Sequence, residues 1–203
     1  MDDLERAIDQ ITVIRGQIAR TTEFRGYGPV AHALTGCLAI LAAIAQMVWI
    51  EEPTRHVASY LAIWFTVAAL SIATIGYETY IRSIRLHGDL AGQMLLSAVE
   101  QFIPAVAAGG LLTVVLLRVT PANAWMLPGL WQIIFSLGAF ASRRFLPRPM
   151  FVIGVWYLAA GLLCLSIGQG EGALSPWLMG IPFGVGQWLV SAVLYTSDHN
   201  GKP

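Results

Sequence analysis

Charge is what this sequence has least of. Asp, Glu, Lys and Arg make up 12% of its 203 residues, about half the share of a soluble protein. Lys202 is the single lysine, and the other cations are all arginines. Formal net charge is zero, so there is no basic surface to hold a nucleic acid. Hydrophobic residues supply 56% of the chain, more apolar surface than one soluble core of this length can hide.

Cysteine is nearly missing too. Cys37 and Cys164 sit at depths that differ by roughly 10 Å along their helices, beyond disulfide reach, and both are expected to be small buried side chains. The histidines, at 32, 56, 87 and 199, fall on both sides of the predicted spans. A bis-histidine haem or a three-histidine zinc site needs its ligands at one depth, so no metal or cofactor is expected. There is no His-Glu-x-x-His, no paired-cysteine metal spacing and no Gly-x-Ser-x-Gly elbow. No catalytic residue can be named, and the sequence points away from an enzyme.

What the chain does have is six apolar stretches, approximately 30–50, 57–79, 93–117, 127–145, 150–168 and 176–195. Each is close to the roughly 20 residues that cross a hydrocarbon core. Ten basic residues crowd into every second polar piece: Arg6, Arg15, Arg20 and Arg25, then Arg82 and Arg85, then Arg143, Arg144 and Arg148, then Lys202. Only Arg55 and Arg118 fall on the other side. Positive charge is retained in the cytoplasm, so both termini are expected inside. The setting expected is a bacterial inner (cytoplasmic) membrane. Trp49, Trp125 and Trp177 all map to the outer interface and agree with that threading. Acidic residues after Met1, with the first apolar run starting only near Val30, speak against a cleavable signal peptide. The first span is then its own anchor. The fold class expected is all-α, a six-helix transmembrane bundle with short outer links and a cytoplasmic amphipathic helix at its N-terminus.

Three parts follow. Residues 1–27 form the amphipathic helix and a hinge, 28–196 the six-span domain, and 197–203 a cytoplasmic tail. Ala7, Ile11, Ile14 and Ile18 make one helical stripe. That stripe suits the membrane surface, a second copy of the chain in a homo-oligomer, or a membrane or cytoplasmic protein partner. Small residues recur at every fourth position in span one (Ala31, Thr35, Ala39, Ala43), and Ala105 with Gly109 and Gly180 with Gly184 repeat the spacing. In lipid such faces let helices approach closely, by default within one chain.

Ionisable groups within spans cost about 2.5–3.5 kcal/mol each at the bilayer centre, so each needs a reason. Glu78 closes span two and Glu100 lies in span three, with Gln101 beside it. By the threading, both carboxylates share the cytoplasmic half with His32 and Arg143. Glu78 can pair with Arg82 one helical turn on. Glu100 has no basic residue three or four positions away, so His32, Arg82 or Arg143 on another helix is its expected partner. Glu100, Glu78, Arg82, His32, Gln101 and Arg143 are therefore the expected ligand or ion-pair cluster. Trp131, Gln132, Gln187 and Trp188 are a second, ligand-facing set, because Pro182 and nearby glycines are expected to weaken span six beside them.

The stretches Phe24 to Pro29, Leu127 to Arg144 and Ser175 to Gln187 resemble those of uncharacterised small bacterial polytopic integral membrane proteins. The resemblance covers most of the chain and implies no activity, cofactor or functional residue. Two function classes stand: a non-enzymatic protein that binds a lipid, a small apolar ligand or a protein partner, and a small-solute or proton-coupled transporter using Glu100 and Glu78. Reporter fusions at residues 88 and 146 are expected to read as cytoplasmic, and fusions within 51–56 or 169–175 as external.

Overall fold

Six long helices carry the chain. The computed structural model describes residues 28–85, 89–142 and 149–199; the amphipathic stripe at residues 1–27 and the tail from residue 200 lie outside them. The helices are α1 (Pro29–Trp49), α2 (Val57–Arg85), α3 (Asp89–Val119), α4 (Leu127–Ala141), α5 (Met150–Ile167) and α6 (Trp177–His199). All six contribute an apolar run long enough to cross a membrane, and no strand occurs among the described residues. The molecule is an all-helical bundle compatible with a multi-pass membrane protein.

Local chemistry sets the helix limits. Pro29 opens α1 at a position where its missing N–H costs nothing. Past the other end of α1, Pro53 follows closely and the chain turns through the exposed Glu52–Arg55 pair, 2.5 Å apart. An exposed pair of this kind contributes little to stability. The 15 residues of α4 reach only about 22 Å, short of the hydrocarbon core. A 3-10 helix at Pro121–Met126 leads straight into it, and together they make one 21-residue crossing. Successive helices run in opposite directions. One end of the bundle, here the near end, holds Pro29; the far end holds Trp49, Trp125 and Trp177.

Packing is uneven. The tightest pairs are α1 with α6 and α4 with α5, while α3 leans on α4 and α2 on α1. Ala31, Thr35, Ala39 and Ala43 are all buried, and the small-residue face they form meets α6. A Cβ on Gly180 would touch Ala43, and one on Gly36 would come 2.9 Å from the Gly184 carbonyl oxygen. The small-residue faces are therefore used within the chain. Cys37 points away from this stripe and is exposed, whereas Cys164 is buried; both are free. The expectation that both are buried fails for Cys37 because the stripe occupies the opposite side of its helix.

At mid-depth Phe135 of α4 collects rings from three other helices. Its centroid lies 5.0 Å from Phe102, 4.5 Å from Tyr157 and 5.7 Å from Phe183. Tilted and edge-on contacts of this kind add to simple area burial. Toward the far end Ala42, Ala43, Tyr60, Trp64, Leu174 and Met179 form one core; toward the near end Met150, Ile153, Tyr157, Val190 and Leu194 form another.

Helix α6 runs unbroken through Pro182, contrary to the weakening expected there. Proline removes the N–H that would bond the carbonyl four residues back, which here is Leu178. That oxygen instead accepts from the Gln132 amide at 2.7 Å and the Cys164 thiol at 3.2 Å. Gly36→Ala is expected to push α1 and α6 apart and to destabilise the bundle by about 1–3 kcal/mol, read as a lower thermal midpoint in detergent.

Candidate functional site: a polar chain at the near end

Helix α1 begins with an N-cap that has no side chain of its own to offer. Gly28 makes no capping bond, and the first amides of a helix need an acceptor. Glu78, reaching across from α2, supplies it: the Ala31 amide donates to its carboxylate at 2.6 Å. The positive end of the α1 dipole favours an anion at this point. A Cβ at Gly28 would overlap the Glu78 carboxylate, so a side chain here would have to displace it.

From Ala31 the chain of polar contacts runs inward. His32 is buried, within electrostatic reach of Glu78. Its Nδ1 lies 2.7 Å from Oε1 of Gln187 on α6, so with the amide oxygen as acceptor the imidazole proton sits on Nδ1. The Thr35 hydroxyl, with its one proton, donates to the His32 carbonyl at 3.0 Å and lies 3.3 Å from the same Gln187 oxygen. The Gln187 amide nitrogen reaches the Tyr157 hydroxyl on α5 at 3.5 Å. Two further bonds fasten α6 to the opening turns of α1: Ser191 donates to the Pro29 carbonyl at 2.7 Å, and the Trp188 indole to that of Ala33 at 3.3 Å. One continuous line, Glu78–α1 N-terminus–His32–Gln187–Tyr157, thus connects four helices. Chemically it brings a carboxylate near an imidazole and ends on a buried phenol, with amide groups between them.

The expected cluster is only partly gathered here. His32 and Glu78 come together, and Gln187 joins them from the other expected set. Glu100 is exposed on α3, a helix that packs chiefly against α4. Arg143 lies outside the described residues, as do the side chains of Arg82 and Gln101. No three His, Cys, Asp or Glu among the described residues gather as a metal site would require.

Trp131, Gln132, Gln187 and Trp188 do not line one surface. Gln187 belongs to the near-end chain, and Trp188 is half exposed beside α1. Trp131 wedges between α2 and α3 near the far end, its indole donating to Thr113 at 2.9 Å and its ring stacked on Tyr60. Gln132 is fully buried against Cys164 and Leu178. Sequence reasoning missed Thr35 and Tyr157. It also missed Gln46, whose amide donates to the Leu174 carbonyl and accepts from the Trp64 indole, each at 2.8 Å. A glutamine deep in an apolar run was the available signal for Gln46.

Replacing Gln187 with Leu removes the partner of His32 Nδ1 and of the Tyr157 hydroxyl inside a low-dielectric core. A stability loss of about 1–3 kcal/mol is expected, measured by thermal denaturation, with Trp188→Phe losing markedly less. No protein-family model, curated protein or solved structure matches this chain, so the site is understood through its own geometry.

Proposed function

We propose that this protein is a non-enzymatic integral membrane protein of sensor or accessory-subunit type. It binds a lipid, a small apolar ligand or a protein partner, and relays that state through residues 1–27. The observation that carries this reading is the seat of Glu78 at Gly28, where residues 1–27 join the six-span domain. A shift in the N-terminal segment would move Gly28, and with it the carboxylate, His32 and Gln187. The bonds of that line are made with other protein groups, which suits a relay more than an open aqueous path. The loose packing of α2 and α3 leaves their apolar sides to lipid or to a partner helix.

The alternation of arginine-rich and arginine-poor pieces supports a bacterial inner-membrane location with both termini in the cytoplasm. On that threading the near end, with Glu78 and His32, is the cytoplasmic one. Residues 28–196 then form the membrane domain, flanked by cytoplasmic segments at 1–27 and 197–203.

A second reading, proton-coupled transport, is favoured by the placement of Glu78 beside the titratable His32. Glu100, exposed on α3, is not one of the residues of that line. The two readings separate in vesicles of phosphatidylethanolamine and phosphatidylglycerol containing the full chain and an internal pH dye. The relay reading expects no proton flux under an imposed pH gradient. It also expects Glu78→Gln to accelerate hydrogen exchange in residues 1–34. A flux abolished by Glu78→Gln would replace it with transport.

A further inference from the structure

We propose that the far end of the bundle holds one ordered water molecule, bound between the Tyr60 hydroxyl and the carbonyl oxygen of the Gln132 side chain. Both side chains are completely buried, and neither of these atoms has a hydrogen-bond partner among the described residues. Buried polar atoms left unsatisfied are rare because each retains its full desolvation penalty. One such orphan is tolerable; two in side chains that both belong to the far end point to something shared.

The neighbouring contacts bring the two atoms to one interior space. Tyr60 lies in the first turn of α2, with its ring stacked on Trp131, the residue before Gln132. It packs in a core with Leu174 and Met179, on either side of Leu178. Gln132 spends its amide nitrogen on the Leu178 carbonyl and the Cys164 thiol, which fixes the side chain and leaves its oxygen without a donor. Hydrogen-bond capacity then selects the occupant. Tyr60 needs an acceptor and Gln132 needs a donor, and water is both. Its second proton faces the Cys164 sulfur, giving three partners, the usual number for an internal water.

The site has a structural consequence. The carbonyl freed by Pro182 is held by Gln132, and the water holds Gln132 to Tyr60, so α2 is tied to α4, α5 and α6. This site is separate from the Glu78–His32 line at the other end.

The test uses the full chain in lipid nanodiscs, at a resolution that shows ordered water. Density is expected within hydrogen-bond distance of Tyr60 Oη and Gln132 Oε1, and it should vanish in Tyr60→Phe. Loss of the bridge should also lower the thermal midpoint of Tyr60→Phe by about 3 °C. Two results overturn the proposal: a direct Tyr60–Gln132 hydrogen bond with no density between them, or a midpoint that rises in Tyr60→Phe. A rise is what deleting an orphaned hydroxyl from a dry core would produce.

Discussion

Helices α1 and α6 can lie against each other only because neither puts a large side chain between them. In lipid there is no hydrophobic gain from bringing two apolar helices together, so contact depends on dispersion forces at short range and on polar bonds that lipid cannot offer. Ala31, Thr35, Ala39 and Ala43 on one side, with Gly180 and Gly184 on the other, provide the short range. The 2.7 Å bond from His32 to Gln187 then becomes reachable, because both side chains are too short to span a gap filled by leucines. The near-end chain is thus a product of the small-residue faces. Widening that interface would dissolve the site before it unfolded the bundle.

The same economy of polar groups runs through the interior. Backbone carbonyls released by irregular geometry are met by glutamines placed for them. Gln132 and Cys164 answer the carbonyl freed by Pro182. Gln46 answers that of Leu174, which adopts a left-handed backbone (φ 57) where the α5–α6 connection turns. A leucine in that conformation is strained by roughly 1–3 kcal/mol, and it persists because its side chain is buried in the far-end core and its carbonyl is held. These glutamines act as repairs to helix ends and proline sites, which explains why they sit in otherwise apolar runs at little net cost.

The spans were legible because hydropathy and helix length are local properties. Expected limits of 30–50 and 150–168 became Pro29–Trp49 and Met150–Ile167. One difference is instructive: α4 stops at Ala141 rather than 145, and its crossing is completed at the other end by a 3-10 helix in what was expected to be the outer link. Polar residues inside spans were equally legible one at a time, as His32, Glu78, Gln132 and Gln187 show. Their pairing was not. His32 and Gln187 are 155 residues apart, and which helix faces which depends on packing that no local pattern records. Glu100 was assigned to the His32 side because it lacked a partner on its own helix. In the structure Glu100 is exposed on α3, and exposure of a helix face is not written in its local pattern.

The two ends of the bundle use polarity differently, and that contrast constrains any account of function. At the far end the polar side chains, Gln46, Trp64 and Gln132, are neutral, and their bonds stitch helices and connections into a closed cap. At the near end the line begins with a carboxylate and a histidine, whose charge depends on their surroundings and on what approaches them. A neutral cap resists change, because breaking any of its bonds strands a buried dipole with no compensating charge. A line starting at Glu78 can respond, because its first bond is made by one carboxylate at the mouth of a helix, where the chain enters the bundle. Any signal in this molecule should therefore enter where Gly28 meets Glu78 and fade toward Tyr157, with the far end as the fixed frame against which α1 moves.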